Sequence, residues 1–164
     1  MTRWFAVRTS PRWEVRVSSE LSLRGFETYL PLSHEKHKWS DRTKVIDVPL
    51  FPGYLFTRFV MEDRLRILQA PGVKQIVGIG ETPAPISESE IDNLRTLVDA
   101  SPVLVPWPYL QAGQRVRVDR GPLAGVQGFV VRAEQGSLRI VVSVDLLQRS
   151  VAAEIDRDCI GSVG

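Results

Sequence analysis

The N-terminal part of the chain alternates between short apolar strands and helices with one apolar face. Residues 4–8 (WFAVR) are apolar on both faces, which predicts a strand near the centre of a sheet, because a surface strand has a polar side. Similar short runs predict further strands at 28–32, 50–60 and 73–79. We therefore expect an α+β fold in which an antiparallel sheet is flanked by helices.

Two helices of this region have recognisable ends. We expect the first to begin with Ser10 as N-cap and Pro11 in its first turn, and to end at Gly25. Its apolar stripe has a spacing of four residues and consists of Trp13, Val17 and Leu21. In a later helix, Ser87 and Glu90 form a capping box. The expected buried face of that helix consists of Ile91, Leu94 and Val98.

The rest of the chain contains a polar stretch, a proline-rich segment and a C-terminal part punctuated by glycine. Residues 34–49 are first polar and then extended, which predicts a protruding hairpin or loop. The later helix ends at Ser101-Pro102, and three prolines within seven residues predict a stiff linker at 101–109. Beyond the linker, short alternating segments predict a small all-β barrel of five strands. We place one domain at 1–100 and a second at 110–164.

The composition is that of an ordinary globular protein, since 43% of the 164 residues are hydrophobic and 24% are charged. No apolar run is long enough to span a bilayer and the N-terminus lacks a signal-peptide pattern, so we expect a cytoplasmic protein. The single cysteine, Cys159, allows no internal disulfide.

Positive charge is concentrated near the N-terminus. Residues 1–44 carry nine Lys and Arg against five Asp and Glu, a net charge of +4, whereas the remainder carries −2. This asymmetry favours a local contact with a polyanion over non-specific coating of nucleic acid. On charge alone, the alternative that these cations form a merely solvated surface stays open.

The sequence contains no arrangement of residues typical of a catalyst. His34 and His37 are three residues apart, but no third ligand lies near them in sequence, and the surrounding cations disfavour Zn²⁺. The glycine patterns match neither a dinucleotide-binding nor a phosphate-binding loop. We therefore expect no enzyme activity, no metal and no cofactor.

The remaining residues favour binding to a partner instead of catalysis. In the polar stretch, Trp39 is interleaved with cations, a mixture suited to phosphate contact and to stacking on unstacked bases; the cations are Lys36, Lys38, Arg42 and Lys44. Packing of Trp39 back on the sheet is the alternative. Phe51, Tyr54 and Phe56 are expected mainly in the core, but alternation sends Tyr54 and Phe56 to one face, where part of the set would form an exposed protein-binding surface.

Several motifs, in order along the chain, resemble the NusG-type transcription elongation factors. The N-terminal ones are Trp4-Phe5-Ala6-Val7, Tyr29-Leu30-Pro31, residues 49–56 (PLFPGYLF), Pro71-Gly72-Val73 and Pro85-Ile86-Ser87. Residues 113–128 and 142–144 are similar to the KOW domain that follows the NusG N-terminal (NGN) domain in that family. The resemblance covers nearly the whole chain. Lys38–Arg42 is similar to the specialised antiterminator paralogues of the RfaH, LoaP and UpxY types.

This resemblance implies a non-enzymatic elongation and antitermination factor that binds the clamp helices of RNA polymerase and suppresses pausing or termination. The implied polymerase contacts are Trp4, Phe51, Tyr54 and Phe56. The implied contacts to the non-template strand or upstream fork are Arg12, Arg16, Lys36, Lys38, Trp39, Arg42 and Lys44. The implied contacts of the KOW domain with Rho or a small-subunit ribosomal protein are Leu123, Leu146, Leu147 and Arg149.

An RNA- or ribosome-binding module built on the KOW domain is the alternative function. In either case we expect a monomer. The C-terminal strand patterns agree locally with a barrel, so we expect strands there, in contrast to the helical hairpin known in one branch of the family. We also expect the two domains to move independently.

Overall fold

A computed structural model describes residues 1–100, 103–133 and 136–162. The spatial proximity of Cα atoms divides the chain into two units, one comprising Met1–Leu32 and Asp47–Ile91 and the other Ser33–Ile46 and Asp92–Gly164. Helices and antiparallel sheets are both present, so the α+β fold class is confirmed. No helix in the described residues is long and apolar enough to cross a membrane.

The described residues form three helices and fourteen strands. The helices are α1 Glu14–Leu23, α2 Arg64–Leu68 and α3 Glu88–Ala100, with 3-10 turns at Met61–Asp63, Asp145–Leu147 and Arg157–Cys159. The strands are β1 Arg3–Thr9, β2 Glu27–Tyr29, β3 Leu32–Trp39, β4 Arg42–Pro49, β5 Tyr54–Phe59, β6 Val73–Ile76, β7 Gly78–Ile79, β8 Thr82–Pro83, β9 Val105–Trp107, β10 Gln114–Val118, β11 Gln127–Arg132, β12 Leu138–Val144, β13 Arg149–Ile155 and β14 Ile160–Ser162.

The first unit is built on an antiparallel sheet in the order β2-β5-β1-β6. Strand β1 lies between two neighbours and is buried on both faces, which confirms the prediction of a central strand. One face packs on α1 and α2, where the Phe5 and Phe59 rings stack with centroids 4.4 Å apart. The core on this face consists of Phe5, Val7, Val17, Leu21, Phe26, Leu55, Phe59, Ile67, Ala70 and Ile76.

Helix α1 begins three residues later than expected, with Trp13 instead of Ser10 at the N-cap. The Trp13 N–H donates to the Ser10 carbonyl at 3.1 Å and closes a turn in which Arg12 has a φ of 67°. A residue in this left-handed conformation cannot belong to a right-handed helix, so the helix starts only at Glu14. The expected end at Gly25 is confirmed, because Gly25 has a φ of 91° and the Phe26 N–H reaches back to the Leu21 carbonyl.

Helix α3 begins as its capping box predicts. The Glu90 N–H donates to Ser87 Oγ at 3.2 Å, which satisfies one of the free N–H groups at the helix start. The buried residues after Ile91 are Leu94 and Leu97, whereas Val98 is half-buried. The predicted end at Ser101-Pro102 lies outside the described residues.

The polar stretch forms a two-stranded hairpin of β3 and β4, joined by the turn residues Ser40 and Asp41. A hairpin was one of the two forms expected for this stretch. Residues 34–45 are all exposed. The hairpin strands therefore have no buried side along this part, which agrees with their polar sequence.

The second unit contains an antiparallel sheet in the order β14-β10-β11-β12-β13-β9, six strands where five were expected. The additional strand β9 comes from residues expected in the linker. It pairs with β13 at the sheet edge, a position that tolerates Pro106 because an edge strand has N–H groups without ladder partners. Val105 and Trp107 pack on a cluster of Phe129, Val141 and Ala152, which holds this segment in place. The described segments of this sheet are strands, as predicted.

Candidate interaction surfaces

The expected aromatic surface is largely part of the protein core. Trp4, Phe51 and Phe56 are 2%, 3% and 0% exposed, so these three side chains have almost no surface for a partner. The Phe51 and Phe56 rings meet edge to face with centroids 6.3 Å apart. Tyr54 alone among the four is half-exposed. Tyr54 and Phe56 lie on one face of the strand, as alternation predicts, but Phe56 is buried whereas Tyr54 is half-exposed.

A tight turn holds the residue that stays accessible. The Tyr54 N–H donates to the Phe51 carbonyl at 3.0 Å, and Gly53 has a φ of 87°, a conformation that favours glycine. The Gly53 carbonyl accepts from the Thr9 N–H at 2.8 Å, and the Gly53 N–H donates to Glu14 Oε2 at 2.9 Å. Both polar groups of Gly53 are thus bonded to residues that flank the Ser10–Trp13 turn, which fixes the backbone before Tyr54.

Glu14 was not selected from the sequence, although it is a key residue of this turn. Its side chain is buried, with 6% of the residue exposed. Burying a carboxylate is unfavourable unless it is hydrogen-bonded. The bond to the Gly53 N–H and the position of Glu14 in the first turn of α1 both stabilise a negative charge there. A lone acid at a helix start gives no sequence signal for such a long-range partner.

The two basic residues expected from the first helix are both exposed. Arg12 occupies the left-handed position of the Ser10–Trp13 turn. The Arg16 guanidinium lies 4.9 Å from the centroid of the Trp13 ring, a cation–π geometry that orders the side chain without neutralising its charge. Both residues lie in the first unit, whereas the hairpin cations lie in the second, so the structure describes them as two separate sets.

The hairpin presents all its predicted side chains to solvent. Trp39 is 57% exposed, so it does not pack back on the sheet, and the exposed cations are Lys36, Lys38, Arg42 and Lys44. Because successive side chains of a strand point to opposite faces, Lys36 and Lys38 share one face of β3 and Trp39 lies on the other. An exposed ring and exposed cations on one short hairpin are suited to contact with bases and phosphates.

The predicted contact residues of the second domain are divided between core and surface. Leu123 and Leu147 are buried, Leu146 is half-buried and Arg149 is exposed. Gln148 adopts a φ of 51°, and the Arg149 guanidinium turns back to donate to the Leu147 and Gln148 carbonyls at 3.3 and 3.2 Å. Among the predicted contact residues, Leu146 and Arg149 are therefore the accessible ones.

Sequence reasoning also missed two polar links in the second unit. The Asn93 side-chain amide pairs with the Gln127 backbone through two hydrogen bonds of 2.8 Å, one in each direction. Tyr109 Oη donates to Asp145 Oδ1 at 2.9 Å. Partial burial, followed by the hydrogen bond to Asp145 and its negative charge, raises the pKa of Tyr109 above its ordinary value. Neither link has a local sequence pattern, because each joins residues more than thirty positions apart.

The histidines of the hairpin do not form part of a metal-binding cluster. His37 Nε2 lies 3.2 Å from Glu35 Oε2, two residues away on the same face of β3. Among residues 1–100, 103–133 and 136–162, no group of three or more His, Cys, Asp or Glu side chains is arranged to hold a metal ion.

Comparison with known protein families gives a match for the N-terminal part of the chain. Residues 2–95, which include the whole first sheet, match the family described as "Transcription termination factor nusG". The chain belongs to the NusG family. The specialised paralogue type suggested by Lys38–Arg42 stays a prediction.

Full-length relatives extend the NusG likeness beyond the matched region. A protein of Vibrio vulnificus named "Transcription termination/antitermination protein NusG" is 28% identical, covering 94% of this chain and 92% of its own length. A protein of the same name from Staphylococcus carnosus is 26% identical over 95% of this chain and 93% of its own. The solved structure described as "Domain interaction in Thermotoga maritima NusG" covers 100% of this chain with a TM-score of 0.60 and 20% identity. This last likeness supports the fold.

Proposed function

We propose that this NusG-family chain is a non-enzymatic transcription elongation and antitermination factor of the cytoplasm, which acts as a monomer on RNA polymerase. The observation that carries the proposal is the family match over residues 2–95, extended over nine-tenths of the chain by relatives named for termination and antitermination. The factor would bind the clamp helices of the polymerase and suppress pausing or termination.

The mechanism requires binding energy that differs between two states of the polymerase. A bound factor shifts a conformational equilibrium only by its preference for one state. A preference of about 1.4 kcal/mol for the elongating state changes a pause equilibrium about tenfold. No bond needs to be made or broken by the factor.

The first domain would supply the polymerase contact through Tyr54. Its half-exposed ring and the bonded turn before it support this role. Trp4, Phe51 and Phe56 would act indirectly, as the buried layer that holds the Tyr54 strand in place.

Nucleic acid would be contacted by two exposed sets, the hairpin residues and the two arginines of the Ser10–Arg16 segment. Exposure of every predicted member supports this assignment. The targets would be the non-template strand or the upstream fork. The members are Arg12, Arg16, Lys36, Lys38, Trp39, Arg42 and Lys44.

The second domain, residues 110–164, would bind Rho or a small-subunit ribosomal protein through its loop at Leu146 and Arg149. Leu147, which is buried, would support this loop from the core, whereas the buried Leu123 would contribute to the packing of the domain. If the full chain bound ribosomes and failed to bind polymerase, the RNA- or ribosome-binding alternative would replace the proposal.

The direct test measures equilibrium binding of the full chain to purified bacterial core RNA polymerase without nucleic acid. Tyr54→Ala should weaken binding by roughly 1–3 kcal/mol, the usual range for an aromatic anchor. Tyr54→Phe is the matched control, because it keeps the ring and should stay near the wild type. Thermal unfolding of each variant checks the fold. Equal affinity of a well-folded Tyr54→Ala protein would rule out this contact.

A further inference from the structure

The first sheet carries a polar row on the face opposite α1 and α2. Arg8 of β1 is the Cα partner of Tyr54 on one side and of Gln75 on the other. The next pair along the strands, Val7 and Leu55, belongs to the core on the helix-covered face. Because adjacent residues of a strand point to opposite faces, Arg8, Tyr54 and Gln75 share the other face. We call these three residues the polar strip.

The polar strip is accessible, in contrast to its neighbours on the same face. Arg8 and Gln75 are exposed and Tyr54 is half-exposed. Two residues further along, Ala6 is opposite Phe56, and both are buried. The strip therefore marks the end of the sheet at which this face emerges into solvent.

Arg8 lacks the carboxylate partner that three other arginines of the first unit possess. Arg24 lies 3.2 Å from Glu20, Arg58 lies 3.4 Å from Glu88, and Arg66 lies 3.6 Å from Asp63. In the described part of the chain, no carboxylate lies within 4.0 Å of the Arg8 guanidinium. An exposed, uncompensated guanidinium beside an aromatic ring is a combination enriched among the residues that dominate protein interfaces.

The backbone around the polar strip is held rigidly. Thr9, directly after Arg8, donates its N–H to the Gly53 carbonyl at 2.8 Å, and Gly53 directly precedes Tyr54. Glu14, which directly follows the Ser10–Trp13 turn, accepts a hydrogen bond from the Gly53 N–H. The Arg8 and Tyr54 backbones are thus cross-linked at two successive positions, through strand pairing and through Gly53. Binding therefore causes only a small further loss of backbone conformational entropy at these residues.

We propose that the polar strip docks a carboxylate-bearing protein surface, with Arg8 pairing to the carboxylate beside Tyr54. The inference rests on the proposed function, so the surface is one on RNA polymerase. Arg8 would act as a specificity-determining contact, because a guanidinium forms two parallel hydrogen bonds with a carboxylate. A protein partner fits better than nucleic acid, since the strip has one cation and binding to a phosphate backbone draws on several.

The test compares two charge reversals on the same strand. Arg8→Glu and Arg3→Glu change the net charge equally, and both residues are exposed. Arg3 lies at the opposite end of β1, where its Cα partner is Phe59. Affinity of the full chain for core RNA polymerase is measured for both variants and for Arg8→Ala, alongside affinity for a short single-stranded DNA.

We expect Arg8→Ala to weaken polymerase binding about 30-fold and Arg8→Glu to weaken it further, as happens when one partner of a buried charge pair is removed or reversed. Arg3→Glu should stay within about threefold of the wild type, and Arg8→Glu should weaken polymerase binding more than DNA binding. Polymerase binding by Arg8→Glu equal to that of Arg3→Glu would overturn the inference. A loss confined to DNA would overturn it in favour of a nucleic-acid contact. Absence of polymerase binding by the wild type would instead contradict the proposed function.

Discussion

The pair formed by Asn93 and Gln127 allows a quantitative prediction within the second unit. The Asn93 amide donates to the Gln127 carbonyl and accepts from the Gln127 N–H, both at 2.8 Å. Strand β11 pairs with β12 only from Phe129 onward. Strand β12 therefore does not bond the N–H and carbonyl groups of Gln127. The carboxamide of Asn93 bonds there as a neighbouring strand would.

Removing the carboxamide should open this end of β11. Each hydrogen bond contributes about 1 kcal/mol net, and Gln127 is exposed enough for water to replace part of the loss. We therefore expect Asn93→Ala to lower the local opening free energy by about 1–2 kcal/mol. This change corresponds to amide exchange at Gln127 that is roughly 5–30 times faster, where exchange proceeds by local opening.

Amide hydrogen exchange of the full chain, resolved at Gln127, measures this effect. Asn93→Asp should accelerate exchange less than Asn93→Ala, because its carboxylate still accepts from the Gln127 N–H while it repels the Gln127 carbonyl. Asp92→Ala is the control, since Asp92 is an exposed neighbour on the same helix. Exchange at Gln127 within about twofold of the wild type in Asn93→Ala would refute the reasoning.

Three further outcomes are expected. In urea unfolding, Glu14→Ala should cost about 1–3 kcal/mol because it leaves the Gly53 N–H without its acceptor, whereas Glu14→Gln should recover much of the loss; equal losses would contradict the hydrogen bond. Stability should fall as pH rises above 10.0 through the raised pKa of Tyr109, which favours the neutral phenol in the folded state. Tyr109→Phe should flatten this alkaline limb, and an unchanged limb would argue against the contact with Asp145. Single-stranded DNA binding that uses about four cations should weaken with salt at a log–log slope near −3. A variant in which Lys36, Lys38 and Arg42 are replaced should show a flatter slope. If its slope equals that of the wild type, the hairpin does not contact the DNA.

Several features of this protein were determined by short stretches of sequence. The central strand β1 and the α3 capping box at Ser87 were predicted correctly, and a hairpin was one of the two forms expected for the polar stretch. In each case the controlling interaction is local: alternation along one strand, a side chain bonding the backbone three residues on, or a polar run with no residues to bury. Short-range geometry is the same in any fold, so such patterns can be interpreted without knowledge of the rest of the chain.

The tertiary structure decided which of the predicted contact residues are accessible. Phe56 and Tyr54 follow the same alternation, yet only Tyr54 is accessible, because burial depends on what covers each part of a sheet face. The starting point of α1 depends on the Arg12 turn, which Gly53 bridges from forty residues away. The conversion of the proline-rich segment into β9 depends on an apolar cluster supplied by other strands. These outcomes arise from contacts between distant parts of the chain, whose pairing no local pattern specifies.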